Sequence, residues 1–363
     1  MTTRLVTTNA ELDILVAEVQ GQEFLAVDTE FIRERTYYPR LCLIQLATPT
    51  TAACVDTIAV TDLEPLLSVL LDPTITKVLH AARQDLEIFV QLTGTVPGPV
   101  FDTQIASDLC GLGDQGGLAA VAAQLLDVEI DKSHTRTDWS RRPLSTQQLK
   151  YAMDDASYLV PIYKKLRARL QESDRAAWLE AECEKLTDPA LYTVDPETAW
   201  QRLRGLGALS KQQFHAARLL ARWREKRAME LDRPRGWVLR DDVLLRVAAD
   251  LPADENSLER IKGFPRPLLK QTPFLLELID KAVNCEDESP DLPDMLSNEQ
   301  RKLVGRLMAM VRETATETGI SAATLATRRD VTAIVQGRND ASPLHGWRQE
   351  IIGNRLLAVV SSG

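Results

Sequence analysis

The 363-residue chain lacks the marks of a secreted or membrane-spanning protein. Its five cysteines are scattered, odd in number and outside any C-x-x-C pair: Cys42, Cys54, Cys110, Cys183 and Cys285. This pattern argues against a disulfide framework and a zinc site. No apolar run approaches the roughly 20 residues of a membrane span, and the opening Met-Thr-Thr-Arg does not begin a signal segment. We therefore expect a reducing, cytoplasmic location and no membrane partner.

Two further absences narrow the functional classes. The chain has no G-x-x-x-x-G-K-[ST] motif, so nothing supports ATP hydrolysis or helicase activity. Its net charge of −9 argues against a protein that coats nucleic acid nonspecifically. The charge is unevenly distributed, however. Gln201–Arg240 contains eleven Lys/Arg and three Asp/Glu, and Asp131–Lys150 contains five Lys/Arg and two Asp/Glu. These stretches predict nucleic-acid contacts, with solvated basic helix faces as the alternative.

The first part of the chain, residues 1–190, has the pattern of an α/β domain. Apolar runs typical of buried strands cover Phe24–Phe31, Leu41–Ala47, Ala52–Asp56 and Thr76–Leu79. Helical periodicity covers Leu63–Leu71, Ala82–Leu92, Thr103–Leu109, Leu118–Leu125 and Ser145–Leu170. Asp102 is the predicted N-cap of the third of these helices. Early strands joined by short links, then strand–helix alternation, predict a mixed α/β layer fold.

Strand patterns end at about Asp188, and the rest of the chain is predicted to be all-α. Residues 195–283 form a helical module with segments Pro196–Gly205, Ser210–Leu231, Asp241–Ala249, Ser257–Lys262 and Pro267–Val283. Within it, Ser210 is the predicted N-cap and Gly263 a helix stop. Trp237 is predicted to be a core residue, with a platform for RNA as the alternative. Residues 284–295 are acidic, contain two prolines and predict a linker. Residues 296–363 form a second helical block with segments Ser297–Thr318, Ser321–Thr327, Arg329–Val335 and Trp347–Val359.

A pair of acids follows the first predicted strand run. Asp28 and Glu30 come directly after Phe24-Leu25-Ala26-Val27. Because residues two apart on a strand point to the same face, the two carboxylates project together. Two ionised carboxylates in a half-buried place repel each other and lose hydration, so a positive partner is expected between them. One divalent cation, or a pair of cations, is the simplest such partner.

Two helical segments add further candidates. Asp85 lies in Leu79-His80-Ala81-Ala82-Arg83-Gln84-Asp85-Leu86, and on its own a solvated helix acid would be the preferred interpretation. Tyr151 and Asp155 are four residues apart on a predicted helix, so they share one face about a turn apart. Asp154 points about 100° away and should not be a ligand.

Together these residues resemble the motifs of the DEDD family of 3′→5′ exonucleases, in its tyrosine-containing ribonuclease D branch. The matching motifs are Asp28-Thr29-Glu30, Asp85 and Tyr151-x-x-x-Asp155. The likeness continues through Tyr37-Tyr38-Pro39-Arg40-Leu41-Cys42-Leu43-Ile44-Gln45-Leu46 and Asp138-Trp139-Ser140-Arg141-Arg142-Pro143-Leu144. Further along, Arg235-Gly236-Trp237-Val238-Leu239-Arg240 resembles the central signature of the helicase-and-ribonuclease-D C-terminal (HRDC) domain, an accessory nucleic-acid-binding bundle. The second helical block looks like a degenerate HRDC-like bundle.

The resemblance implies a ribonuclease-H-like exonuclease domain that uses two divalent ions, Mg²⁺ or Mn²⁺. It implies that Asp28, Glu30 and Asp155 hold the ion on the nucleophile side. Asp28 would also reach the second ion, which Asp85 would support. Tyr151 would orient the attacking water, since a phenol that titrates near 10 is a poor general base. The alternatives are a strand-end acid pair bonded to backbone or arginine, and a core tyrosine.

Substrate contacts are predicted at ten positions: Thr29, Phe31, His80, Leu86, Trp139, Arg141, Arg142, Arg222, Arg224 and Lys226. Phe31 and Leu86 are candidates to wedge or stack on the terminal bases. His80 shapes the nucleotide pocket or is a core histidine. For Trp139, Arg141 and Arg142 the alternative is a tryptophan that packs on Pro143, next to solvated arginines.

The leading hypothesis is a monomeric, cytoplasmic 3′→5′ exoribonuclease that trims tRNA precursors and other structured RNAs to release 5′-nucleotides. A DNA exonuclease of the repair type is the second hypothesis, because the same carboxylate site serves such enzymes. A nuclease-derived RNA-binding protein without catalysis is the third, and the presence of all four carboxylates argues against it.

Overall fold

The computed structural model describes residues 2–113, 116–131, 137–285 and 296–361, and these residues form two compact units. The first unit is built from the described parts of 1–32, 41–192 and 296–363. The second is built from 33–40 and the described part of 193–295. The predicted acidic linker, residues 284–295, lies almost wholly outside the described residues.

A six-stranded mixed sheet organises the first unit. Its strands are β1 (Thr2–Val6), β2 (Phe24–Ile32), β3 (Arg40–Ala47), β4 (Thr51–Asp56), β5 (Thr76–Leu79) and β6 (Val100–Asp102), in the order β1-β4-β3-β2-β5-β6. The pairs β1–β4, β2–β5 and β5–β6 are parallel, whereas β3 and β4 are antiparallel. The sheet and its helices confirm the predicted α/β fold class, and β2 lies near the centre of the sheet.

Seven helices accompany the sheet among the described residues up to Tyr192. They are α1 (Asn9–Val19), α2 (Glu64–Leu71), α3 (Arg83–Thr93), α4 (Thr103–Leu109), α5 (Leu118–Leu126), α6 (Thr146–Glu172) and α7 (Ala176–Leu186). A capping box between Ser145 and Gln148 begins α6. One face of the sheet packs on α6, where Phe24 and Ala26 meet Ala156 and Leu159 in one apolar cluster. This packing brings α6 against the strand that carries the first acidic motif.

The second helical block packs into the first unit. Its helices are α13 (Asn298–Thr318), α14 (Ala322–Leu325), α15 (Arg328–Val335), α16 (Gly346–Arg348), a π-helical turn (Gln349–Gly353) and α17 (Asn354–Ser361). Leu307 and Leu356 lie in the same buried cluster as Leu109 and Leu166. The block therefore shares its core with α4 and α6, and its HRDC-like character stays a prediction.

The second unit is a helical bundle with its own core. Its helices are α8 (Lys211–Glu230), α9 (Arg235–Val238), α10 (Asp241–Asp250), α11 (Glu255–Glu259) and α12 (Thr272–Val283). Short 3₁₀ turns cover Pro196–Arg202, Leu206–Ala208 and Arg266–Gln271; in the first unit, one covers Pro189–Leu191 and another Ser342–Leu344. Ser210 caps α8 as predicted, and the core includes Phe214, Leu220 and Leu244. The prediction that Trp237 lies in the core is wrong, because its side chain is 61% exposed. No helix of the described residues is long and apolar enough to cross a bilayer.

Candidate active site

The first acidic motif lies on the face of β2 that packs on α6. Asp28 and Glu30 continue the face of Phe24 and Ala26, both of which are buried against α6. Where the apolar positions give way to acids, the strand is half-buried rather than sealed. The period-two geometry predicted from sequence thus places both carboxylates at the edge of this packed layer.

Helix α6 supplies the third carboxylate. One oxygen each of Asp28, Glu30 and Asp155 lies within 4.8 Å of the other two. Tyr151, one turn before Asp155, donates its hydroxyl hydrogen bond to the Asp155 carboxylate. Asp154 instead forms an ion pair with Lys150. We name the side chains of Asp28, Glu30 and Asp155 the carboxylate cluster.

Asp85 approaches the carboxylate cluster from the first turn of α3. Its side chain is buried, and its Oδ1 accepts a hydrogen bond of 2.5 Å from Thr29 Oγ1. The start of α3 is held by Asp102, whose carboxylate accepts the backbone N–H groups of Ala81 and Ala82 at 3.1 and 2.8 Å. Asp102 also caps α4, as predicted, but its role in fixing the start of α3 was not predicted.

Burial and acidic neighbours raise the pKa values of all four carboxyl groups. Burial, then the charges of Asp155 and Asp85, raise the pKa of Glu30 to about 9. Burial and then the charge of Asp85 raise the pKa of Asp28 well above its usual value. Burial likewise raises the pKa of Asp85 to about 7 and of Asp155 to about 6, although hydrogen bonds from Thr29 and Tyr151 oppose these shifts. Because burial and repulsion destabilise the ionised form of these acids, a positive ion among them is favoured, and carboxylate oxygens are ligands that hard divalent cations such as Mg²⁺ prefer.

Four predicted substrate contacts lie near these acids, and the structure gives three of them structural roles. Thr29 is buried and its hydroxyl positions Asp85. Leu86 is buried in the sheet core, so it cannot stack on a base, and this prediction is wrong. His80 is half-buried, with Nδ1 2.9 Å from Thr103 Oγ1 and Nε2 3.0 Å from Gly116 O, which favours the alternative of a structural histidine. Phe31 is half-buried and remains a candidate.

The Asp138–Leu144 segment contains three more predicted contacts. Trp139 is only 2% exposed and packs in a cluster with Cys54 and Ala152, so it is not available to stack on RNA. Arg142 is used by a salt bridge to Asp56 with an Nε–Oδ2 distance of 2.5 Å. The predicted RNA contacts of Trp139 and Arg142 are therefore wrong for this structure. Arg141 has an 84% exposed side chain paired with Asp138, and it remains a candidate.

The predicted phosphate contacts on α8 differ in exposure. The Arg224 side chain is 1% exposed and its Nη1 donates to Leu239 O and to Asp241 Oδ1, so the prediction that it binds phosphate is wrong. Arg222 pairs with Glu197 at 2.7 Å and is 43% exposed, and Lys226 is exposed. Arg222 and Lys226 border a cavity of about 750 Å³ between α8 and α12, which we name the α8–α12 groove.

Known proteins are similar to the chain in its α/β region and in its helical region. A sequence-family model described as a 3′–5′ exonuclease matches residues 3–171, and the HRDC domain model matches residues 213–279. The chain is 38% identical to Ribonuclease D of Acidiphilium cryptum, over 97% of this chain and 92% of that protein. It is 37% identical to Ribonuclease D of Gluconacetobacter diazotrophicus, over 98% and 92%. Its structure is similar to that of Escherichia coli RNase D, an exoribonuclease involved in structured RNA processing, with a TM-score of 0.89, 32% identity and coverage of 100% and 99%.

Proposed function

Because the chain belongs to the ribonuclease D family of 3′→5′ exoribonucleases, we propose that it trims the 3′ ends of tRNA precursors and other structured RNAs, releasing 5′-nucleotides. The observation that carries the proposal is the carboxylate cluster, with three carboxylate oxygens within 4.8 Å of one another and Asp85 beside them. These are the motif residues by which the sequence resembles the DEDD exonucleases.

The carboxylate cluster fits divalent ions, which exonucleases of this family use. Asp28, Glu30 and Asp155 would hold one ion, and Asp28 with Asp85 would hold a second, either Mg²⁺ or Mn²⁺. Bound there, such ions neutralise the scissile phosphate and make a water molecule a stronger nucleophile. The acids have raised pKa values because of burial and mutual repulsion, so a cation between them relieves both penalties.

Tyr151 orients the attacking water in this proposal. Its hydroxyl donates to Asp155, so the phenol is already fixed one turn away from an acid of the carboxylate cluster. Because the single phenol proton is used in the bond to Asp155, the Tyr151 oxygen can accept a hydrogen bond from the water and orient it without deprotonating it. The role of Tyr151 is therefore geometric.

The α8–α12 groove supplies RNA affinity beyond the active site. Apolar side chains from both helices line it, namely Leu219, Trp223, Phe274 and Leu278. Cationic side chains also line it: Arg222, Lys226, Arg227 and Lys281. Aromatic surface next to cations suits single-stranded RNA, because bases stack on rings while phosphates meet the cations. Phe274 is 46% exposed, and on α9 the 61% exposed Trp237 is a second stacking candidate.

The proposed compartment is a reducing cytoplasm, and the proposed state is a monomer. All five cysteines are free thiols, and the apolar surroundings of Cys54 and Cys183 raise the pKa of each to about 12. Such thiols are inert and suit a compartment without disulfides. Light scattering of the purified protein tests the monomer.

One experiment tests the function directly. A tRNA extended at its 3′ end and labelled at its 5′ end is incubated with the protein and Mg²⁺, Mn²⁺ or EDTA, beside DNA of matching sequence. We expect a ladder that shortens from the 3′ end, with mononucleotide products, in either ion and not in EDTA. A rate on DNA that equals or exceeds the rate on RNA would favour the DNA exonuclease hypothesis. If the protein bound the RNA but did not shorten it with either ion, only the RNA-binding hypothesis would remain.

A further inference from the structure

The ring of Tyr151 rests on a buried tryptophan. The centroids of the Trp139 and Tyr151 rings lie 6.0 Å apart, and the planes are inclined by 32°. Trp139 is enclosed by Cys42, Leu43 and Cys54, so it cannot move without disturbing the β3–β4 layer. The position of the phenol therefore depends on a residue outside the DEDD motifs.

The Trp139 backbone is held in turn by Arg142. The guanidinium Nη1 donates to the carbonyls of Trp139 and Arg141 at 2.7 and 2.8 Å. Its Nη2 donates to Cys42 O at 2.9 Å and to Asp56 Oδ1 at 2.7 Å, and its Nε donates to Asp56 Oδ2 at 2.5 Å. A guanidinium has five N–H donors, and these contacts use all five. Arg142 has no donor left for a phosphate.

Asp56, the acceptor of this fork, is fixed at the end of β4. Its Oδ1 accepts the backbone N–H groups of Ile58 and Ala59 at 3.0 and 3.2 Å. Burial raises the pKa of Asp56, but the hydrogen bonds from Arg142 and Ile58 outweigh burial and keep it below its usual value. The ion pair thus anchors the Asp138–Leu144 segment to the ends of two strands.

We propose that Arg142 and Trp139 are positioning residues that act through Tyr151. Arg142 fastens the Asp138–Leu144 segment to β3 and β4, which seats the Trp139 ring against Tyr151 and keeps the phenol hydroxyl at Asp155. The inference rests on the proposed function, since it assigns a task to residues that support its water-orienting group. A misplacement on the order of 1 Å at a reacting centre costs about 10²-fold in rate.

The chemistry of the fork makes arginine necessary. Lysine carries its donors at a single nitrogen, so it cannot reach both oxygens of Asp56 and three carbonyls together. Arg142→Lys keeps the charge but releases most of these contacts. The substitution should therefore loosen the segment without removing an acid or the phenol.

A matched control exists in the same unit. Arg348 is also buried and paired, donating from Nη1 and Nη2 to Glu182 and from Nε to Thr324 O at 2.6 Å. Its Lys variant disturbs a comparable arginine–carboxylate fork away from the carboxylate cluster. The pair Arg142→Lys and Arg348→Lys separates a loss of stability from a loss of positioning.

The test measures single-turnover rate, KM for RNA and the thermal midpoint of both variants, in wild-type and Tyr151→Phe backgrounds. We expect Arg142→Lys to lower the rate by about 10- to 100-fold with little change in KM. Arg348→Lys should lower only the thermal midpoint. In the Tyr151→Phe background, Arg142→Lys should lower the rate little further, because both changes impair the same function, the positioning of the phenol hydroxyl.

Three outcomes would overturn the inference. The first is an unchanged rate and KM in Arg142→Lys. The second is a raised KM at an unchanged rate, which would make Arg142 an RNA contact. The third is a rate loss from Arg142→Lys that is as large in the Tyr151→Phe background as in the wild type. If Arg142→Lys does not fold, Trp139→Phe and Trp139→Leu decide by the same criteria, with Phe expected to retain more rate than Leu. Full activity of Tyr151→Phe alone would instead refute the proposed role of Tyr151.

Discussion

The candidate active site and the α8–α12 groove carry charge in opposite ways. In the carboxylate cluster, like charges are crowded and half-buried, and the charged neighbours that shift the pKa values of Asp28 and Glu30 are all acids. In the groove, cations are paired with acids at the surface: Arg222 with Glu197, Arg227 with Glu230 and Lys281 with Glu277. The first arrangement costs stability, whereas the second is close to neutral.

This difference in charge pairing makes the carboxylate cluster stronger evidence for a ligand than the α8–α12 groove. Folding does not favour four repelling acids, so a cation that compensates for them is the simplest reason for their presence. Exposed ion pairs contribute only about 0–1 kcal/mol each and occur on many surfaces without a ligand. The groove argues for RNA only through its combination of cations with exposed aromatic rings.

The largest expected effect is at Asp28. Asp28→Asn should lower the hydrolysis rate by at least about 10³-fold, because it removes charge from the side chain that both ions would share. The metal-free variant should unfold at a slightly higher temperature than the parent, since one repelling charge is gone. Rates at saturating Mg²⁺ and thermal midpoints in EDTA check this.

Asp154→Asn is the control for Asp28→Asn. Asp154 lies beside Asp155 but pairs with Lys150 outside the carboxylate cluster, so its amide variant should keep full activity. Near-parental turnover of Asp28→Asn would remove Asp28 from the metal site.

A smaller effect is expected at Tyr151. Tyr151→Phe keeps the ring against Trp139 but removes the hydroxyl that bonds Asp155. We expect a rate loss of about 10²-fold with unchanged Mg²⁺ and RNA affinity. Single-turnover kinetics beside equilibrium binding separates the two effects, and weaker RNA binding at an unchanged rate would make Tyr151 a substrate contact.

The third effect concerns pH and stability. Burial and acidic neighbours raise the pKa of Glu30 to about 9, so the folded protein binds more protons than the unfolded chain between about pH 4.5 and 9. Stability without metal should therefore fall as pH rises through this window. A bound ion replaces the protons, so the apparent Kd for Mg²⁺ should fall as pH rises. Mg²⁺ at about 100 times its Kd at pH 8.5 should add about 2.7 kcal/mol, and the same concentration should add less at pH 6.

Thermal midpoints in EDTA and in Mg²⁺ at both pH values measure this dependence. Glu30→Gln is the control, because an amide does not titrate, so the fall of the midpoint in EDTA should be less steep in this variant. A midpoint in EDTA that rises from pH 6 to pH 8.5 would contradict the electrostatic account of the carboxylate cluster.

Strong periodicity made much of this fold predictable. The strand prediction Thr76–Leu79 is confirmed, and Phe24–Phe31 ends one residue early. β6 was missed because three residues are too few to show an alternation, and its pairing with β5 is a tertiary contact. α1 was missed although Thr8 and Glu11 form a capping box that the sequence displays.

The errors in side-chain exposure had different causes. Arg224 follows Ala217, Leu220 and Ala221 at helical spacing, so the periodicity of α8 already placed it on the buried face. For the second helical block, an amphipathic pattern shows that a face is buried but not which partner buries it. Its core with α4 and α6 could therefore not be read from the sequence.

The smallest expected effect is in the α8–α12 groove. Lys226→Glu with Arg227→Glu should weaken binding of structured RNA by about 10-fold and leave cleavage of short single strands unchanged. For each phosphate that the variant no longer neutralises, the slope of log K against log salt should become shallower by about 0.7, because fewer counterions are released. Binding measured from low to moderate salt gives both quantities.

The control for the groove reverses two exposed cations elsewhere in the same unit, Arg260→Glu with Lys262→Glu, which changes net charge equally. If the groove binds RNA, this control should alter the salt slope much less than the groove variant. Adding Phe274→Ala should weaken binding further without changing the slope, since stacking releases no counterions. Equal slopes for the groove and control variants would mean that the basic charge of the helical unit acts only as a diffuse field, and the groove would then be a surface of the bundle that contributes nothing specific to RNA recognition.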